Sequence, residues 1–179
     1  MILQGRPANV AAMNTHIHFD IGSSTIGQVL VALTDKGICA ILPGDSPRAV
    51  TRELRERFPS ALLERNAARL ARVMPRVVAF VDGRSTTLAE PLDPAGTEFQ
   101  QRVWRALRDV PSGKTVSYAE IARRIEAPTS FRAVAQACGA NPLALAIPCH
   151  RVVRHDGALS GYRWGVARKR ALLEREAAR

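Results

Sequence analysis

The sequence predicts an α+β protein, in which a small N-terminal α/β domain with an antiparallel sheet precedes a helical C-terminal domain. Three observations carry this reading. Near the N-terminus, short runs rich in β-branched residues alternate with Gly and Ser turns. From Thr97 onward, helix starts of the Ser/Thr-x-x-Glu/Gln kind precede apolar residues spaced every fourth position. Between the two lies "TLAEPLDPAG", a stretch with two prolines and a glycine. The expected organisation is a flexible lead-in over residues 1–14, an N-terminal α/β supporting domain over 15–91, and a C-terminal domain over 92–179.

Taken in order, "IHFDIGSS" and "GQVLVALTD" read as strands joined by a Gly/Ser turn, and "KGICAILPG" reads as a third strand ended by Pro-Gly. Together they make an antiparallel meander. "SPRAVTRELRERFP" reads as a helix, with Ser46 as N-cap, Pro47 in the first turn, and Val50, Leu54 and Phe58 on its apolar stripe. A second helical stretch begins near Ala67; Pro75 interrupts it, and "VVAFV" is read as helix. The start of the chain lacks a basic segment followed by an apolar one, so no secretory signal is expected, and no run approaches the length of a membrane helix. A cytoplasmic location is expected.

Three cysteines, Cys39, Cys138 and Cys149, with no CxxC spacing, argue against a disulfide framework. His16 and His18 could touch a metal, but a zinc site needs further ligands. The expected reading is a strand with two exposed histidines and no metal site. Cys39, in an apolar strand, is expected to be a buried small hydrophobe.

Charge is lopsided. Of a net +10, residues 97–179 carry 15 Lys and Arg against 7 Asp and Glu, and residues 1–96 carry 11 against 9. Basic charge gathered in one half suits a polyanion-binding half and a supporting half, although a generally arginine-rich composition would give the same excess. In the C-terminal half, Thr97 and Gln100 form a capping box ahead of Phe99, Val103 and Leu107, and Pro111 to Gly113 stop that helix. Ser117 and Glu120 repeat the device, and Pro128 ends the second helix. "TSFRAVAQACGAN" is a third helix, capped by Thr129 or Ser130 and closed near Gly139 and Asn141. The last two helices and their tight turn fit a winged-helix-like domain with a helix-turn-helix.

The combination "RAVAQACGANP", "IPCHRVV", "SGYRWG" and "LLEREA" resembles the O6-alkylguanine-DNA alkyltransferase (methylated-DNA-protein-cysteine methyltransferase) family over residues 94–177, and within it the C-terminal domain of bacterial Ada proteins. Residues 15–91 resemble the family's variable N-terminal domain in layout only. The resemblance implies a DNA repair enzyme. It would move a methyl or alkyl group from O6-alkylguanine in double-stranded DNA irreversibly to its own Cys149, once per chain. O4-methylthymine is a second substrate to consider. No cofactor is implied, and a nucleoid-associated monomer is expected.

The chemistry can be argued beside the resemblance. A thiolate is a soft, strong nucleophile, and the thioether it forms is stable. A free cysteine has a pKa of about 8.5, so a base must help near neutral pH. His150 adjoins Cys149, but neighbours on an extended segment point apart, so direct contact is not expected. In the family the histidine acts through a water and a glutamate orients it; Glu176 is preferred over Glu174 for that place. Asn141 matches the hinge between the recognition helix and the active-site loop.

A base inside a duplex must be flipped to be reached. The resemblance assigns Arg132 to the gap left by the extruded base. It gives Tyr118 to nucleotide rotation, and Val152, Tyr162 and the Arg163 backbone N–H to the guanine pocket. Cys149 and Val152 carbonyls would accept from the exocyclic amine. The small residues Ala133, Ala135 and Ala137 would let one helix face approach the DNA backbone, with Gln136, Arg123, Arg124 and Arg151 as further DNA contacts. Arg163 and Trp164 should narrow the pocket mouth. An Ada-type methylation-responsive DNA-binding regulator, or a fragment of one, is the alternative. Lesion sensors of the family replace the cysteine, which this chain keeps, and nothing in the sequence suggests the acyl substrate of a Cys-His hydrolase.

Overall fold

The computed structural model describes residues 15–159 and 161–178, so the lead-in over residues 1–14 lies outside the described residues. The N-terminal half is built on β1 (His16–Ser24), β2 (Gly27–Leu33) and β3 (Ile38–Gly44), the expected antiparallel meander. Gly27, at φ +112, makes the first turn where a side chain would meet the Gly44 carbonyl. β3 ends on Pro43 and Gly44 as expected, and the proline is tolerated within it because an edge strand can leave one N–H side unpaired.

α1 (Pro47–Arg57) starts as expected: the Ser46 side chain accepts from the Ala49 N–H, and Val50 and Leu54 are buried. A fourth strand, β4 (Leu62–Arg65), was not legible in the sequence. It pairs parallel to β1 and gives the sheet order β3-β2-β1-β4. Short α2 (Ala67–Leu70) and α3 (Val73–Val81) follow, with "VVAFV" helical and Pro75 in the first turn of α3, where a missing N–H costs nothing.

The C-terminal half contains α4 (Glu98–Arg108), β5 (Val116–Ser117), α5 (Tyr118–Arg124), α6 (Phe131–Ala140), β6 (Val152–Val153) and α7 (Val166–Ala177). Both sides of the Thr97/Gln100 capping box are formed, and Ser117 caps α5 through the Glu120 N–H. Ser130 is the residue before α6, but no side-chain cap forms there, contrary to the expected Thr129 or Ser130 cap. β5 and β6 pair in parallel, Val116 with Val152 and Ser117 with Val153, a ladder the sequence did not announce.

One apolar core runs through both halves, from Ile17 and Leu30 to Trp104, Val134 and Leu172. The edge of β3 is covered rather than exposed. Ile41 donates to the Pro142 carbonyl at 2.9 Å and accepts from Ala144 at 3.0 Å; Ile38 donates to Pro91 at 2.8 Å and accepts from Asp93 at 2.8 Å. The sheet thereby ends on the segment that precedes Cys149, which also satisfies an otherwise unpaired edge. Among the described residues, no helix is long and apolar enough to cross a membrane.

Candidate active site

Two tight turns set the cysteine. Leu145, at φ +63, sits at the centre of a three-residue turn closed by the Ala146 N–H to the Ala144 carbonyl at 2.7 Å. A bulky residue in this left-handed region is strained, and such strain persists where the surroundings over-determine it. Pro148 then centres an inverse turn, φ −80 and ψ 61, closed by the Cys149 N–H to Ile147 at 2.8 Å. The ring of Pro148 fixes the φ that this turn needs. Residues Cys149–Arg151 form a 3₁₀ turn rather than the extended segment the sequence reading assumed. No hydrogen bond links the Cys149 thiol to His150 among the described residues.

Asn141 ends α6 and is fully buried. Its Nδ2 donates to the Ile147 carbonyl at 2.8 Å and to Cys149 Sγ at 3.2 Å, while Oδ1 accepts from the Leu143 N–H at 2.9 Å. One side chain thus couples the end of α6 to the cysteine loop, as a hinge should. Burial pushes the Cys149 thiol above its ordinary pKa, opposed by the Asn141 hydrogen bond and the nearby charges of Lys169 and Arg57. The resting group is therefore a neutral thiol, which needs a base.

His150 is buried, and its Nε2 lies 2.8 Å from Glu176 Oε1. Arg151 grips the same carboxylate with two bonds, Nε to Oε2 and Nη2 to Oε1, both 2.9 Å, and its Nη1 donates to the Val110 carbonyl. The His150 and Arg151 hydrogen bonds outweigh burial and hold Glu176 down at about 2. Burial lowers the His150 pKa, so the imidazole is neutral at pH 7. An ionised carboxylate can only accept, so Nε2 carries the proton and the lone pair is on Nδ1. Nδ1 is buried and has no hydrogen-bond partner among the described residues. Glu174 is exposed on the other side of α7, which leaves Glu176 as the orienting carboxylate. Arg151, expected as a DNA contact, has its guanidinium engaged by Glu176 and the Val110 carbonyl in this structure.

Two residues that the sequence reading passed over complete the site. Lys169 is fully buried in α7 and donates from Nζ to the Val152 carbonyl. Its positive charge favours the Cys149 thiolate. Glu53 of α1 reaches across from the N-terminal half, accepting from Arg57 Nε at 2.9 Å, Arg163 Nε at 2.8 Å and Trp164 Nε1 at 3.1 Å. Arg57 in turn donates to the Ala140 carbonyl at the end of α6.

Of the expected pocket residues, Val152 donates its N–H to the Cys149 carbonyl and Tyr162 lies within electrostatic reach of Cys149. Tyr162 packs edge-on against Trp164, with ring centroids 5.3 Å apart. Its hydroxyl is buried and unpartnered among the described residues, and burial keeps it protonated. Trp164 is buried, so it backs Tyr162 instead of narrowing an open mouth; Arg163 remains exposed. The carbonyls of Cys149 and Val152 already accept one bond each, from the Val152 N–H and from Lys169, so each keeps one further acceptor position.

The helix-turn-helix pair α5 and α6 stands beside this site. Ser117, the N-cap of α5, pairs with Val153, so the first helix is anchored to the strand that leaves the cysteine. On α6, Arg132, Ala135 and Gln136 face outward and Ala133 is half-buried, but Ala137, expected on the DNA-facing side, packs into the core with Val134 and Cys138, one helical turn after Val134. Phe131 is 46% exposed and the Arg132 guanidinium lies over its ring at 5.7 Å. Arg123 and Arg124 are exposed on α5, Arg124 paired with Glu120; Tyr118, half-buried, opens that helix.

Comparison with known proteins places this arrangement. The family model described as "6-O-methylguanine DNA methyltransferase, DNA binding domain" matches residues 98–178. The regulatory protein Ada of Salmonella typhimurium is 54% identical over 92% of this chain, which covers 46% of that protein. The chain thus spans about half the length of its Ada relative. The inducible methylated-DNA-protein-cysteine methyltransferase of Bacillus subtilis is 38% identical, with 82% of each chain covered. The crystal structure of Mycobacterium tuberculosis O6-methylguanine methyltransferase superposes with a TM-score of 0.72 and 37% identity, covering 91% of this chain and 94% of that one. The fold agrees with that structure, and with a relative 38% identical over 82% of its length the chain belongs to the methylated-DNA-protein-cysteine methyltransferase family.

Proposed function

We propose that the chain repairs alkylated DNA by transferring the alkyl group of O6-alkylguanine to Cys149, stoichiometrically and without a cofactor, acting as a monomer in the cytoplasm. The observation that carries this reading is the pair of adjoining hydrogen-bonded sets, Asn141–Cys149 and His150–Glu176–Arg151, beside an outward-facing α6. In the reaction, His150 Nδ1 takes the thiol proton through a water. The Cys149 sulfur attacks the alkyl carbon, the carbon–oxygen bond breaks, and its electron pair stays on the guanine oxygen. The proton returns to the released base, so charge balances. Lys169 lowers the cost of the transient thiolate, and Tyr118 and the Tyr162 pocket hold the ring. The relative from Mycobacterium tuberculosis was crystallised in complex with DNA, at TM-score 0.71 and 36% identity, which supports DNA as the partner.

The test is intact mass after mixing with a duplex bearing O6-methylguanine. A gain of one CH₂, mapped to Cys149, is expected. Binding without a mass change would sink the reading, and a strong preference for one operator-like sequence would favour the regulator.

Arg132 gives a second test. If it fills the space of an extruded base, Arg132→Ala slows repair in paired duplex and recovers in part when the lesion faces an abasic site, since extrusion costs a few kcal/mol and least where pairing is poor. Transfer from the free modified base should hardly change. Arg123→Ala should instead weaken binding of every duplex and reduce the salt slope by about one. Single-turnover rates on the three substrates decide it: an Arg132 variant that follows Arg123→Ala throughout is only a phosphate contact.

A further inference from the structure

Away from the cysteine, one group of side chains has ligand chemistry and no part in alkyl transfer. The sequence puts His16 and His18 on a strand without a third ligand, and the unannounced strand β4 supplies one. His16 and His18 share a face of β1, and Glu64 of β4 is the register partner of His18. We propose that His16, His18 and Glu64 bind a divalent transition-metal ion of the zinc class, which clasps the sheet edge β4 to β1.

The geometry fits the ion. His16 Nε2 is 2.9 Å and His18 Nδ1 is 3.6 Å from Glu64 Oε2. All three ligand atoms lie within 4.8 Å of one another. Tetrahedral zinc, with bonds of about 2.0–2.2 Å, sets its ligand atoms about 3.4 Å apart, between the two observed separations. His18 Nδ1 is buried with no hydrogen-bond partner among the described residues, and 3.6 Å is too long for it to bond Glu64. A buried nitrogen left in this state is costly, and an ion between the two groups would satisfy it.

The carboxylate is also held in place. Asn66 Nδ2 donates to Glu64 Oε1 at 3.0 Å, leaving Oε2 to face the histidines. The Asn66 backbone is itself tied to the Phe19 carbonyl at 2.9 Å. Partners of this kind orient a ligand and raise its affinity. Two imidazoles and one carboxylate suit zinc, cobalt or nickel rather than magnesium or calcium, which prefer all-oxygen sites. Flanking arginines do not oppose the ion: Arg65 pairs with Asp20 and Arg69 with Asp35. His16 and Glu64 are 42% and 46% exposed, so an ion can enter and a water can fill the remaining position.

The probe is Co(II), followed by displacement with Zn(II), on the full chain and on His16→Ala, His16→Gln, Glu64→Gln and Cys149→Ser. Visible d–d absorption without a thiolate charge-transfer band is expected, equal in the wild type and Cys149→Ser. The three histidine and glutamate variants should lose at least about tenfold in affinity, the scale on which even a ligand's hydrogen-bonding partner counts. Zinc should raise the melting temperature of the wild type and not of these variants, because it binds only the folded sheet edge. Their melting without metal should match the wild type, as both positions are exposed. No saturable binding, unchanged binding by Glu64→Gln, or loss of binding in Cys149→Ser would overturn the proposal.

Discussion

Cys149→Ser is expected to leave no detectable alkyl transfer, with the adduct still on the DNA and the protein mass unchanged. Serine keeps the size of the side chain and can still accept from Asn141 Nδ2, so the loop between Asn141 and Cys149 should stay closed. What changes is the nucleophile: a hydroxyl is hardly ionised near neutral pH, and the Lys169 charge is too little to change that. Neither remaining thiol can substitute. Cys39 is buried within β3 and its pKa is pushed up to about 12, chiefly by desolvation, with the Asp93 charge adding to it. Cys138 is raised further by burial, on the core side of α6. DNA affinity should stay within a few fold, because the outward face of α6 is untouched. Intact mass, peptide mapping and a binding titration check all three statements. A mass gain on Cys39 or Cys138 at a comparable rate would move the reaction elsewhere.

Much of this site was legible because its residues are chemically distinctive or locally spaced. The Pro-Cys-His-Arg run and the capping residues Ser46, Thr97 and Ser117 rest on short-range pattern, and the choice of Glu176 over Glu174 rests on the family resemblance of "LLEREA". Lys169 was legible in principle: Lys169, Leu172 and Glu176 recur at helical spacing and face inward together, but a lysine in a basic helix invites the solvent-exposed reading. Glu53 could not be found this way. Its partners Arg163 and Trp164 are more than a hundred positions away, and nothing in "RELRER" separates it from Glu56 on the same helix. β4 escaped for a related reason. "LLER" has helix formers and no alternation, and it becomes a strand because the exposed edge of β1 offers it main-chain bonds from Thr15 to Phe19. Arg151 is a similar case: its two bonds to Glu176, 25 positions away, could not be read from the local sequence, which offered only a positive charge.

His150→Ala should slow transfer by about 10²–10⁴-fold near neutral pH, the usual worth of a positioned general base. The pH profile separates this from a folding defect. In the wild type the productive pair is neutral thiol and neutral imidazole. That pair exists from the His150 pKa, lowered below 6.5 by burial, up to the Cys149 pKa, raised above 9.0 by burial, so the rate is flat between them. Without His150 the rate follows the thiolate fraction and climbs about tenfold per pH unit across the same window. The deficit therefore shrinks as pH rises and is largest near pH 6. Glu176→Gln should show the same slope with a smaller loss, because an amide no longer fixes the proton on Nε2 and the basic lone pair on Nδ1. It also leaves the Arg151 guanidinium, 15% exposed, without its carboxylate. Breaking a buried ion pair costs about 3–5 kcal/mol, so the melting temperature of this variant should fall as well. The ion pair has its own pH signature: a carboxylate held at about 2 contributes stability that is complete above the ordinary value of 4.5 and is lost as pH falls through that interval. Wild-type unfolding followed from pH 5 to pH 2 should show this loss, and Glu176→Gln should not. Single-turnover rates from pH 6 to pH 9 for both variants complete the test: a pH-independent deficit in His150→Ala would remove the histidine from proton transfer and leave it a packing role.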